Sequence, residues 1–344
     1  MKAVMMHEFG GPEVLNYQDV ETPEPGPDDV LVKVHAVSVN RTLDLVVREN
    51  KYARTPVLPH ILGVDPSGVI EAVGSNVTDR KVGERVYCSL FVKSDDPDAM
   101  NLPGVGAVMF LGVNVWGGYA EYVKVPAENA QPIPDSLDFY DATVVGRHLA
   151  TAINQIEGVG QVSEGDWVLV MGASGGLGSA AVQVAKLNGA NVIGAAGADA
   201  RVQAAIDCGA DHGVNYRTQD LAEEVARITG GQGAKLVCEN IGDPDLFPGA
   251  FNSLGRGGKM VTAGAHAGGH VELDLWKLYL FQLQIIGEPR EQPGGLARAL
   301  KMAGEHDIKC LIDQVLPLSA AQEGHRIAGA RGGTGKVILD PTLD

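Results

Sequence analysis

The sequence predicts an α/β protein in two parts, a β-rich N-terminal half followed by an open, doubly wound parallel sheet. Three observations carry this. Short apolar runs alternate with helical stretches from Val168 to Gly287, the pattern of strands buried on both faces by crossover helices. Behind the first run, Val168-Leu169-Val170-Met171, come Gly172, Gly175 and Gly178 at three-residue spacing. The N-terminal part instead reads as strands broken by Thr22-Pro23-Glu24-Pro25-Gly26-Pro27, which cannot lie in a helix or a central strand.

In chain order, Lys2–Met6 and Val30–Val39 read as strands. A short helix is expected from near Thr42, where Asp44 and Arg48 stand one turn apart and are positioned to pair. Val69–Val73 and the stretch after Gly83-Glu84 read as further strands. Residues 89–118 form a Gly/Asp/Pro-rich excursion without a clear period. Tyr119–Val125 alternates as a strand, and Pro126 to Pro134 reads as a linker. A helix follows over Asp138–Glu157, with Asp138 as its N-cap. The βα units then place strands at 168–171, 191–195, 213–215, 235–238, 259–262 and 284–287. Helices are expected near 177–188, 199–208, 219–229, 244–254 and 274–281, joined by right-handed crossovers. The tail reads as a helix around 294–305, a strand near 314–317, a helix from Ser319 and a last strand over Lys336–Leu339.

The strand, glycine turn and helix around Gly175 form the setting a dinucleotide pyrophosphate needs. Glycine lets backbone approach the phosphates, and the helix N-terminus offers free N–H groups and partial positive charge. The 344 residues suffice for about two domains. The net charge of −16 argues against a nucleic-acid or anionic-membrane partner. Cys88, Cys208, Cys238 and Cys310 contain no CxxC pair, so neither a disulfide framework nor a compact zinc knuckle is expected. With no leader pattern and no long apolar run, a cytoplasmic setting is expected.

Several stretches together resemble the medium-chain dehydrogenase/reductase family, most of all its zinc-independent quinone oxidoreductase branch. They are LPHILGVDPSGVIEAVGSNV, KVGERVY, VLVMGASGGLGSAAVQVAKLNGANVIG, CGADHGVNYR and GKVIL. The resemblance implies a GroES-like β-barrel catalytic domain over 1–126, with 289–344 returning to it. It also implies a Rossmann domain over 127–288 and an active cleft between the two. Where zinc-dependent members carry a cysteine, this chain has Asn40. Where they carry Gly-His-Glu it has Gly63-Val64-Asp65, so a catalytic zinc is not expected, and with Cys88 the only cysteine near the lobe neither is a structural one. A rearranged site using His148, Asp65 and Cys88 is the alternative.

By the same resemblance, Ser174, Gly175, Gly176 and Leu177 hold the pyrophosphate, and Gly242, Gly264 and Arg331 lie near the ribose and nicotinamide. The second strand of the sheet ends in Gly194-Ala195-Ala196-Gly197, without the carboxylate that binds an NAD ribose. Asp199 is expected to cap the next helix. Gly197, Arg201 and Tyr216 match positions that bind a 2′-phosphate, and Arg217 adds a cation, so the expected cofactor is NADPH.

Without a metal, hydride transfer requires an acceptor that is already electrophilic, such as a quinone or an α,β-unsaturated carbonyl. Asn40 is the candidate orienting residue and Tyr52 a candidate hydrogen-bond donor. Arg147 and His148 are the most distinctive residues. A cation there suits a carboxylate or enolate, and a histidine can supply a proton. Being adjacent on a helix, one of the two is expected to face solvent. The expected activity is therefore NADPH-dependent reduction of a small electrophilic carbonyl or quinone. An alcohol dehydrogenase with an absent or rearranged metal site, or a non-catalytic NADPH-binding protein, are the alternatives. The apolar run Leu273–Gly287, with Trp276, Tyr279 and Phe281, resembles the region through which family dimers join, so a homodimer is expected.

Overall fold

The computed structural model describes residues 1–102, 106–265, 267–288, 294–330 and 332–344. By its contacts the chain divides into two units. The first comprises Met1–Arg147, the helix at Gly295–Glu305 and everything from Ile312 onward. The second begins at His148 and takes in Ile308–Leu311. The division thus falls inside the long helix that starts at Phe139, not at 126. The first half of that helix belongs to the β-rich unit because Ser67 Oγ donates to the Phe139 carbonyl at 2.7 Å and meets Thr143 Oγ1 at 2.8 Å.

The β-rich unit begins with β1 (Lys2–Met6), β2 (Leu15–Asp19) and β3 (Asp29–Ser38). At Asn40 the chain enters a π-type turn (Arg41–Leu45) and one α-turn, α1 (Val46–Arg48), in place of the regular helix expected there. Next come β4 (His60–Ile61), β5 (Ser67–Val73) and β6 (Arg85–Cys88). The excursion is not irregular. It carries β7 (Phe91–Lys93), β8 (Met100–Leu102) and β9 (Gly106–Phe110), which form a small antiparallel sheet in the order β7-β9-β8. Its strands are too short for a period to show in sequence. After β10 (Tyr122–Pro126) and β11 (Ala130–Pro132) comes helix α2 (Phe139–Ile153). Its N-terminus is capped as expected, Asp138 Oδ1 accepting the Asp141 N–H at 2.7 Å.

The second unit is a six-stranded, all-parallel sheet. Its elements are β12 (Trp167–Met171), α3 (Gly176–Leu187), β13 (Asn191–Ala196), α4 (Asp199–Asp207), β14 (His212–Asn215), α5 (Leu221–Ile228), β15 (Ala234–Glu239), α6 (Phe247–Asn252), β16 (Leu254–Thr262), α7 (Leu275–Leu280) and β17 (Gln284–Gly287). The strand order is β14-β13-β12-β15-β16-β17. The strand order switches sides at β12, so ligands of such sheets bind at the carboxyl ends of β12 and its neighbours. Leu169, Ile193, Val237 and Met260 are fully buried, as the continuous apolar runs require.

The chain then forms α8 (Gly295–Glu305), β18 (Ile312–Pro317), α9 (Ala321–Gly329) and β19 (Lys336–Asp340). β19 pairs with β3, placing Ile338 opposite Ser38. The strand that opens with Lys336 is thereby set beside the turn that starts at Asn40.

Candidate functional site

At the head of the parallel sheet, helix α3 follows β12 so closely that side chains are excluded. A Cβ on Gly178 would stand 2.2 Å from the Gly172 carbonyl oxygen, and one on Gly176 2.4 Å from the His148 ring. Gly175 occupies the N-cap without a side-chain cap. The first N–H groups of a twelve-residue helix are therefore left for a ligand. Ser174 is buried, Gly176 and Leu177 are half-buried, and Gly175 is exposed. This cradle fits a pyrophosphate.

Beyond β13, a Cβ on Gly197 would lie 2.8 Å from Tyr216 Cε2 and 3.2 Å from Arg217 Nε, so the phenol and guanidinium close over this glycine. Burial pushes the Tyr216 phenol up, while Arg201 and Arg217 pull it down. Four of the expected cofactor residues, Gly197, Arg201, Tyr216 and Arg217, are thus brought together. Asp199 does not cap α4. Ala198 holds the cap position, and Asp199 Oδ1 accepts the Asn215 amide at 2.6 Å. Gly242 and Gly264 also converge, since a Cβ on Gly242 would stand 3.2 Å from the Gly264 carbonyl oxygen. Glu239 orders that loop by accepting the Ile241 and Gly242 N–H groups, each at 2.9 Å. Arg331 lies outside the described residues.

In the β-rich unit, a buried polar cluster gathers around Asn40. Asp65 accepts the Ser38 N–H at 2.8 Å, the Ser38 hydroxyl at 2.5 Å and the Asn40 amide at 2.8 Å. The Asn40 Nδ2 also reaches Ser38 Oγ at 3.1 Å, while its Oδ1 accepts Lys336 Nζ at 2.7 Å. Lys336 is 9% exposed, and its ammonium also meets the Val39 carbonyl at 3.2 Å. Burial lowers its pKa to about 8. Asp65 and Asp44 oppose that shift, and the neighbouring Arg147 charge adds to it. Asp44 accepts the Asn40 and Gly63 N–H groups at 2.7 and 3.1 Å. Burial first, and then Asp65, raise its carboxyl to about 7.

Asp44 and Arg48 do not pair as expected. Arg48 turns to the Gly10 carbonyl at 3.1 Å, to Glu49 at 2.8 Å and to His325 Nδ1 at 3.0 Å. A guanidinium only donates, so His325 Nδ1 accepts. The neutral ring then carries its hydrogen on Nε2, 3.1 Å from the Tyr119 hydroxyl. Burial and the neighbouring Asp44 hold the Tyr119 phenol well above its ordinary range. A fully buried chain of groups thus ties α9 to the turn at Asn40.

Arg147 and His148 are both half-buried, so neither is fully enclosed or fully turned to solvent. Within the β-rich unit Gly146 lies against the Tyr87 ring, and within the second unit His148 lies against Gly176. Arg147 Nε has no hydrogen-bond partner among the described residues. Tyr52 is half-buried against the apolar core of the β-rich unit.

The donors around Asn40 do not suit a zinc ion. An amide and an ammonium stand where thiolate or imidazole ligands would be needed, and Asp65 already accepts three hydrogen bonds. Burial pushes the Cys88 thiol up to about 12, which disfavours the thiolate a metal would bind. Among the described residues, no three His, Cys, Asp or Glu side chains gather to hold a metal. Sequence reasoning missed Lys336, Ser38, Tyr119 and His325 as members of the cluster. All four lay in stretches read only as strands or helices, Lys336 within GKVIL.

The fold and the glycine cradle define a two-domain α/β oxidoreductase with a place for a dinucleotide. Residues 26–135 match the family described as alcohol dehydrogenase GroES-like domain, and residues 176–303 match that described as zinc-binding dehydrogenase. A quinone oxidoreductase of Homo sapiens is 32% identical over 347 residues, 98% of this chain and 97% of that protein. A 2-haloacrylate reductase of a Burkholderia species is 31% identical over 359 residues, 98% of each. A solved structure described as an NAD-dependent alcohol dehydrogenase is 38% identical, with a TM-score of 0.92 over 99% of both chains. The chain belongs to the medium-chain dehydrogenase/reductase superfamily, in its quinone oxidoreductase-like group. Proteins of this family bind a nicotinamide cofactor. No described helix is long and apolar enough to cross a membrane.

Proposed function

We propose that this protein is a zinc-independent, NADPH-dependent oxidoreductase that passes hydride to a quinone or α,β-unsaturated carbonyl. The observation that carries the reading is the Lys336 ammonium bonded to Asn40 Oδ1, which puts a protein cation where metal-dependent relatives would need ligands. The glycine cradle would hold the cofactor's pyrophosphate, and the reduced cofactor, when bound, would supply the hydride. Both Asn40 amide hydrogens go to Asp65 and Ser38, so we assign Asn40 the task of holding Lys336. Lys336 and Arg147 then provide the positive field for charge that develops on the acceptor oxygen. Arg147 also suits a carboxylate on the acceptor, in keeping with the 2-haloacrylate reductase among the relatives. His148 and Tyr52 are the proposed proton source and hydrogen-bond donor.

Preference for NADPH rests on the convergence of Arg201, Tyr216 and Arg217 at Gly197. In an Arg201→Ala, Arg217→Ala variant, kcat/KM for NADPH is expected to fall about 100-fold, two charge-assisted contacts being lost, with NADH hardly changed. Equal losses for both cofactors contradict the assignment. A cytoplasmic setting belongs to the same proposal, supported by four free thiols, three of them buried.

We also propose a homodimer through α7 and β17. Trp276 is 71% exposed, Leu275 63% and Tyr279 59%, and among the described strands β17 pairs only with β16. An apolar stripe beside an open sheet edge is a surface that a second copy would cover. Light scattering of the intact chain is expected to give about twice the 36.1 kDa of one chain, and a particle of single-chain mass contradicts it.

A further inference from the structure

We propose that Asn215 is a cofactor-specificity residue, which acts by restraining the Asp199 carboxylate beside the 2′-phosphate position. The inference rests on the NADPH reading above. A carboxylate at the first residue of α4 is awkward for that reading, because α4 also carries Arg201, and a free carboxylate repels a phosphate and suits a ribose hydroxyl. The structure shows how the conflict is resolved. Asn215, 7% exposed, ends β14 and holds two neighbours at once. Its Nδ2 donates to Asp199 Oδ1 at 2.6 Å, and its Oδ1 accepts the Arg217 N–H at 3.1 Å. Its own N–H is tied to Gln219 Oε1 at 2.9 Å, so the residue is fixed from both sides.

One side chain thus fixes the acidic group of α4 and the turn that presents Tyr216 and Arg217 to Gly197. The two tasks are separable. A serine at 215 is too short to reach Asp199, yet its hydroxyl still accepts an N–H two residues on, as serine does in turns. Asn215→Ser therefore frees the carboxylate while keeping the cap on Arg217. The freed carboxylate opposes a 2′-phosphate and accepts a 2′-hydroxyl.

The test is direct binding of NADPH and of NADH to the intact protein without acceptor, followed by cofactor fluorescence or calorimetry. Asn215→Ser is expected to weaken NADPH about tenfold, leaving NADH equal or tighter. Adding Asp199→Ala to Asn215→Ser is expected to return NADPH affinity to within about twofold of the starting protein, because the repelling group is gone. A parallel loss of both cofactors, or a double variant that does not recover, overturns the proposal. Should Asn215→Ser not fold, Asp199→Ala alone decides, with NADPH binding expected to hold or tighten and a loss overturning the proposal. A starting protein that prefers NADH would instead refute the cofactor reading, before any variant is made.

Discussion

Replacing Lys336 by methionine is expected to destabilise the protein by about 3–5 kcal/mol, the range found when one partner of a buried ion cluster is removed. Methionine nearly preserves the volume, so the loss is electrostatic and not a cavity effect. Without the ammonium, Asn40 Oδ1 and the Val39 carbonyl lose their donor, and the buried Asp65 and Asp44 lose a compensating cation. The cost of burying Lys336 works the other way, burial lowering its pKa to about 8. The hydrogen bonds to two acceptors and the nearby carboxylates outweigh it near neutral pH. Urea unfolding of Lys336→Met checks this, and a loss below about 1 kcal/mol would mean that the ammonium is not what neutralises the cluster.

The second large effect is the stability that two buried, neutral histidines remove in acid. Burial first, and then the Arg48 charge, lower His325 from 6.5 to about 3, and burial lowers His60 to about 4. Between those values and 6.5 the unfolded chain binds protons that the folded chain refuses. The contribution of each histidine therefore falls as pH drops through this window, with a slope approaching about 1.4 kcal/mol per pH unit, while the raised carboxyls of Asp44 and Glu288 work in the opposite direction. By pH 4.5 each is expected to have removed about 2–3 kcal/mol relative to pH 7. In His325→Gln one of these contributions disappears. That variant is less stable at pH 7, because the contact with Tyr119 is altered, but between pH 7 and 4.5 its unfolding free energy shifts by about 2–3 kcal/mol in its favour relative to the starting protein. An unchanged pH slope would show that His325 is not held neutral.

The elements of the parallel sheet and their common direction could be read from sequence because each of its strands is a local apolar run with a helix behind it. Val168–Met171 and Asn191–Ala195 needed no distant information. The glycine cradle was legible for the same reason, as strand, turn and helix lie within about twenty residues. The cluster around Asn40 was not. Lys336 meets Asn40 across 296 positions of sequence, and a lysine in a strand ordinarily reads as a solvated side chain. His325 and Tyr119 are 206 residues apart. Asp199 was misread as a cap because Asn215, its partner, sits on the next strand. The excursion at 89–118 hid its sheet because β7 and β8 have three residues each, too few to reveal alternation.

The central claim is hydride transfer from NADPH to an activated acceptor without a metal. It is tested most directly by loss of NADPH absorbance with a quinone, an enone and a simple aldehyde, with NADH in parallel and a strong chelator present or absent. The account predicts turnover of the quinone or enone with NADPH at a rate indifferent to the chelator. Turnover confined to the aldehyde, or to the corresponding alcohol with NAD, and abolished by the chelator, would contradict it.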